Sequence, residues 1–130
     1  MSTDTTLSVA LFYYCLVLTQ NLKRKMHMSN VVEIVQFKLA NGFTAQDFLS
    51  SNKQMENFLN EQKGMQYRSL CEKEDGTYLD IVYWESMDVA KQAQQAFFAS
   101  PLCEKFAECI EKESVQLDHV NVIASLMCDS

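Results

Sequence analysis

The chain has 130 residues, 48% of them apolar, with three glycines, one proline and a formal net charge of −6. That is length enough to bury a core as one domain, and so little glycine and proline argues against disorder and against a turn-rich all-β fold. Positive charge gathers early, at Lys23, Arg24 and Lys25, whereas from Met28 onward 8 basic residues face 16 acidic ones. A body that acidic is unsuited to phosphate backbones or anionic membranes.

Leu7 to Leu18 is an apolar run followed by polar Thr19-Gln20-Asn21 and then the basic cluster. It is short of the roughly 20 residues that a membrane span needs. A secretory leader carries its charge ahead of the apolar run and small residues at a cleavage site, and here the charge comes after. Three readings stay open: a misassigned start with translation beginning at Met28, a weak membrane anchor, or an extra helix. Residues 1–27 are therefore set apart as an extension and 28–130 as the domain. Membrane contact is expected only if residues 1–27 act as an anchor.

The first strand is expected over Val31 to Leu39, ending at the turn signal Asn41-Gly42. Thr44-Ala45-Gln46-Asp47 resembles a capping box, with Asp in place of the usual Glu or Gln. Phe48, Met55, Phe58 and Leu59 then share one helical face, and Gly64 closes that helix. Met65 to Lys73 reads as a second strand, and Asp75-Gly76 turns it into a third. Ser86 is the expected N-cap of a helix through Ala99. Ser100-Pro101 interrupts it and opens another, since proline suits a first helical turn, with Leu102, Phe106 and Ile110 facing inward. Ser114 to Ile123 is the last strand.

Val31-Val32-Glu33-Ile34-Val35-Gln36-Phe37 can be laid over Tyr78-Leu79-Asp80-Ile81-Val82-Tyr83-Trp84 without a gap, acid on acid and aromatic on aromatic. Residues 31 to 123 thus read as strand–helix–strand, twice: an α+β, ferredoxin-like βαββαβ fold with an antiparallel sheet and helices on one face. The first and third strands are then central neighbours, with Glu33 and Asp80 side by side. Alternation puts Val35, Phe37, Val82 and Trp84 on the face they share. Two carboxylates beneath packed helices would be costly, so this face is expected to look away from the helices, with Val32, Ile34, Leu79 and Ile81 forming the helix-facing core. A bare apolar patch of that size needs a cover, and a second copy in a homodimer is the simplest one.

Two sheets closed on each other make a barrel lined by acids and aromatics. It is either a pocket for a flat, partly polar small molecule or a dimer seam. If Glu33 and Asp80 lie close together, one holds its proton at neutral pH and can act as general acid or base; the alternative is that each is separately solvated. Tyr67 is a candidate hydrogen-bond donor, Tyr83 falls on the opposite face, and His119 on the last strand is either structural or pocket-lining.

The five cysteines, Cys15, Cys71, Cys103, Cys109 and Cys128, lack metal-site spacing. They read as free, largely buried thiols of a protein in the reducing cytoplasm. With only two histidines, His27 and His119, no metal site is expected.

Trp84-Glu85-Ser86-Met87-Asp88, followed by Phe97-Phe98-Ala99-Ser100-Pro101-Leu102-Cys103-Glu104-Lys105-Phe106, resembles the antibiotic biosynthesis monooxygenase (ABM) domain over about Val31 to Ile123. The resemblance implies a dimeric α/β barrel. It also implies oxygenation of an electron-rich, quinol-like aromatic without metal, flavin or other cofactor, because the deprotonated substrate itself supplies electrons to oxygen. By the same resemblance Trp84 contacts the ring and Asp80 occupies a polar pocket position. The histidine common before Ser-Pro in the family is replaced by Phe97, which removes one base. A haem-degrading branch uses Asn, Trp and His where this chain has Val35, Phe97 and Ala107, so haem degradation is disfavoured. Two functions follow: a cofactor-independent monooxygenase in which Asp80 or Glu33 moves a proton while Trp84 and Phe37 hold the ring, or a non-catalytic dimeric barrel that binds a small molecule or serves as a scaffold.

Overall fold

The computed structural model describes residues 8–16 and 30–128. Residues 30–123 lie in one compact unit, and residues 8–16 belong to another. Residues 8–16 are helical and exposed. Lys23-Arg24-Lys25 and Met28, on which the readings of the N-terminal segment turn, lie outside the described residues. Among the described residues no helix is long and apolar enough to cross a membrane.

The larger unit runs β1 (Val31–Phe37), α1 (Ala45–Ser50), α2 (Asn52–Asn60), β2 (Met65–Glu72), β3 (Tyr78–Trp84), α3 (Met87–Phe98), α4 (Pro101–Cys109), a 3-10 turn (Lys112–Ser114) and β4 (Gln116–Asn121). The strands form one sheet in the order β2-β3-β1-β4, and every pairing is antiparallel. This is the ferredoxin-like α+β fold, with β1 and β3 at its centre.

The helix ends follow their capping chemistry. Thr44 and Asp47 form the reciprocal box: the Asp47 amide donates to Thr44 Oγ1 at 3.2 Å, and the Thr44 amide donates to Asp47 Oδ2 at 2.9 Å. The Thr44 amide and hydroxyl, both donating to Asp47 Oδ2, favour the charged carboxylate and hold Asp47 below the usual Asp range. Ser86 caps α3 by accepting from the Val89 amide. Ser100 caps α4 with Pro101 at the first turn. The segment after Thr44 is two helices rather than the single one expected. Ser50 Oγ and Ser51 Oγ donate back to the carbonyls of Asp47 and Phe48, a local alternative to the helical ladder that interrupts it.

Strands β1, β2 and β4 are each shorter than expected, β2 by one residue. After Phe37, Leu39 makes only an isolated bridge to Ile110. At the other end Ser114 Oγ donates to the Glu111 carbonyl and accepts from the Lys38 amide, which holds residues 112–114 in a 3-10 turn and delays β4 to Gln116.

The helices cover the opposite sheet face from the one expected. Val31, Phe37, Tyr78, Val82 and Trp84 form one buried cluster with Phe48 of α1, Met55 and Leu59 of α2, Ala90 and Ala93 of α3, and Leu102 and Phe106 of α4. Val32, Ile34, Leu79 and Ile81 point to the other side and are only half-buried. The cysteines also depart from expectation: Cys15, Cys71 and Cys128 are exposed, while Cys103 and Cys109 are half-buried.

Gly64 joins α2 to β2 at φ +82, and a Cβ there would meet Val89 Cγ2 at 2.7 Å. Gly42 has φ +92 with nothing within 4 Å. Gly42→Ala should therefore lose only the cost of the left-handed backbone, about 1–2 kcal/mol. Gly64→Ala adds overpacking against α3 and should lose about 2–5 kcal/mol. Urea denaturation of the two variants would measure the difference.

Candidate functional site

Between the sheet and the helices lies a cavity of ≈ 430 Å³, within the range that holds small-molecule ligands. Its sheet wall comes from alternate residues of the central strands: Glu33, Val35 and Phe37 on β1, and Asp80, Val82 and Trp84 on β3. Phe58 of α2, Phe97 and Phe98 of α3 and Phe106 of α4 supply an aromatic wall opposite. Phe97 meets Phe58 and Phe106 edge-on, at ring-centroid distances of 5.8 and 6.3 Å, an arrangement that suits the aromatic quadrupole. Phe97 thus packs as wall at the position where the resemblance would have a histidine.

Each buried acid has its own partner. Arg68 of β2 grips Asp80 with two parallel hydrogen bonds, Nε to Oδ1 and Nη2 to Oδ2, both at 2.8 Å. Arg68 Nη1 donates to Asn52 Oδ1 at 2.6 Å. A bidentate, charge-assisted pair is both strong and geometrically specific, so both Asp80 oxygens are committed. Glu33 Oε2 lies 2.6 Å from His119 Nε2, and both side chains are largely buried. Burial is the main cause that raises the Glu33 carboxyl above its ordinary pKa of 4.5, against the hydrogen bond and charge of His119, which lower it; the Asp80 charge adds the smallest contribution. Desolvation, rather than a shared carboxylate pair, is what perturbs this acid.

The strand register explains why the acids are apart. Glu33 faces Val82 across the β1–β3 ladder, and Asp80 faces Val35. The two acids are therefore diagonal neighbours on one face rather than side by side, as the gapless repeat suggested; antiparallel pairing reverses the order in which the matched positions meet. On the β4 side Glu33 pairs with His119, which places the imidazole against the carboxylate rather than on the cavity wall. Trp84 is 1% exposed, and its indole Nε1 is buried with no hydrogen-bond partner.

Tyr67 is not in the cavity. The β2–β3 register slips between Met65 and Tyr67, and a bulge of this kind reverses the alternation beyond it. Tyr67 packs tilted against Tyr83 on the outer face, with ring centroids 5.7 Å apart and planes at 58°, and is 60% exposed. The same slip turns Arg68 inward. Sequence reasoning missed Arg68 because regular alternation from Met65 puts Tyr67 inside and Arg68 outside. The available signal was Asp80 itself, since a carboxylate on a central strand needs a cationic partner. Among the described residues no group of three or more His, Cys, Asp or Glu side chains is arranged to hold a metal ion.

The fold is shared with known proteins of the ABM-like and dimeric ferredoxin-like type. The chain is similar to a putative antibiotic biosynthesis monooxygenase from Bordetella bronchiseptica, with 19% identity and a TM-score of 0.63 over 74% of this chain and 99% of that one. It is similar to a dimeric ferredoxin-like protein from an uncultured marine organism, with 11% identity and a TM-score of 0.61 over 78% and 94% of the two chains. A Streptomyces coelicolor monooxygenase in complex with nanaomycin D is also similar, with 13% identity and a TM-score of 0.56 over 78% and 95%. No family model and no curated protein matches the chain.

The side chains of Arg68 and Asp80 are 9% and 13% exposed. Arg68→Met, which strands a buried carboxylate, should lose about 3–5 kcal/mol. Adding Asp80→Leu should recover most of that loss, because it removes the unpaired charge. Chemical denaturation of the single and double variants reads both terms.

Proposed function

We propose that the protein binds a flat, electron-rich aromatic in the cavity between sheet and helices and acts as a cofactor-independent monooxygenase of the ABM type. The observation that carries this reading is the cavity itself, with apolar and aromatic walls around Trp84 and acidic groups at the sheet end. Such a site can desolvate and hold a ring while a few polar groups orient its oxygen substituents. Oxygenation at this site needs the ring deprotonated, after which the substrate anion passes electrons to oxygen. Trp84, Phe37, Val35, Val82 and Phe97 would hold the ring. Asp80, clamped by Arg68, would present fixed charge and shape. Phe97 at the family's histidine position favours a second reading, a barrel that binds the aromatic without turning it over.

Trp84 is too deeply packed for truncation to be informative, since Trp→Ala in a core costs about 3–5 kcal/mol. Ala107 lines the cavity from α4 and is half-buried, so Ala107→Phe fills the space with less disruption. Oxygen uptake by the full chain with hydroquinones and anthrone-type polyphenols should exceed the uncatalysed rate and be lost in Ala107→Phe at an unchanged melting temperature. Thermal stabilisation by the same compounds without uptake would support the binding reading. Neither response would overturn both.

We also propose a homodimer closed through the outer sheet face. Val32, Ile34, Leu79, Ile81 and Tyr83 lie there half-buried, with Tyr67 beside them, an apolar surface that one copy leaves uncovered. The interface is thus assigned to the opposite face from the one expected, and the cavity lies within each protomer rather than between sheets. Ile34 and Ile81 are cross-strand partners at its centre. Ile81→Glu should convert a dimer to a monomer in analytical ultracentrifugation; a monomeric parent chain would refute the assignment.

A further inference from the structure

We propose that Glu33, held in place by His119, is the general base of the cavity and removes a proton from a bound aromatic bearing a phenolic hydroxyl or an acidic methylene. This deepens the aromatic-binding reading and rests on it. The side chains with polar atoms on the cavity wall are Glu33, Asp80, Gln94 and Lys112, with the Trp84 indole and the Cys103 thiol. Asp80 has both oxygens engaged by Arg68. Gln94 is not a base, and Lys112 sits exposed in the 3-10 turn. Among the described residues Glu33 alone combines a cavity position with an uncommitted basic oxygen: His119 engages Oε2, and none of them donates a hydrogen bond to Oε1.

His119 is a positioning residue. Its ring, from the edge strand β4, fixes the carboxylate rotamer so that Oε1 is left for the ligand. In the step itself the ligand O–H or C–H bond breaks and the proton passes to Glu33 Oε1. The bonding electron pair stays on the ligand, delocalised as a phenolate or enolate. No electron leaves the ligand at this stage, and return of a proton from the carboxyl reverses it. Burial raises the Glu33 pKa, which makes the group a stronger base than a solvated carboxylate and moves it toward the range where general bases work best. The charged and titratable groups around Glu33 are His119 from β4, Asp80 from β3 with Arg68 of β2 behind it, Lys112 from the 3-10 turn and Cys103 from α4.

The test is solvent-deuterium exchange at the methylene carbon of anthrone, followed by NMR without oxygen, so that proton removal is read apart from oxygenation. Binding is followed separately by quenching of Trp84, the single tryptophan. The full chain should bind anthrone and accelerate exchange above the buffer rate, with a rate that rises with pH as Glu33 loses its proton. Glu33→Gln should still bind and melt normally while exchange falls by about 100-fold or more. His119→Gln removes a bond that lowers the Glu33 pKa, so it should shift the midpoint of the pH profile upward, a change that a merely structural role would not produce. Exchange in Glu33→Gln at the parent rate, or anthrone bound by the parent without accelerated exchange, would overturn the base assignment and leave the aromatic site standing. Failure of the parent to bind anthrone would overturn the aromatic site and this inference with it.

Discussion

Two carboxylates lie on the central strands of this sheet, beneath four helices, where an unpaired charge would cost several kcal/mol. The interior of the domain is organised around meeting that cost. Asp80 is met by a guanidinium from β2 and Glu33 by an imidazole from β4, so each edge strand supplies a partner to its central neighbour. Around the acids the helices leave a cavity, and the largest fully buried side chains are Trp84, Phe48 and Val31. Buried charge and open space occur together for a physical reason: polar groups near a cavity can be solvated or meet a ligand, and the same groups in a dry core cannot.

The two acids are compensated in different ways, and that difference divides their chemistry. A bidentate guanidinium engages both oxygens of Asp80, and Asn52 holds that guanidinium in place. A single contact to imidazole engages one oxygen of Glu33. On the proposed reading the asymmetry separates a fixed charge at Asp80 from a base at Glu33.

The outer sheet face has the complementary character. It carries Val, Ile, Leu and Tyr side chains, it is half-buried in one copy, and the bulge at β2 adds Tyr67 to it. One register slip therefore acts on both faces at once: it brings Arg68 to the acid and places a phenol on the outer face.

The order of the strands and of the helical segments between them, the central placement of β1 and β3, the capping box at Thr44, the α3–α4 break at Ser100-Pro101 and the membership of the Glu33–Trp84 face were legible in the sequence, whereas the α1–α2 break and the 3-10 turn were not. The legible features depend on period, turn chemistry and local hydrogen bonds within a few residues. Which side of the sheet the helices cover was decided only by the tertiary structure, because period-2 alternation defines two faces without saying which is covered. Solvation argued against the acids being inside, and that argument failed because Arg68 and His119, 12 and 86 residues away along the chain, were there to compensate them. The bulge that brings Arg68 inward, and the antiparallel register that sets Glu33 opposite His119 rather than Asp80, are likewise properties of strands paired in space, which the spacing of residues along one strand does not encode.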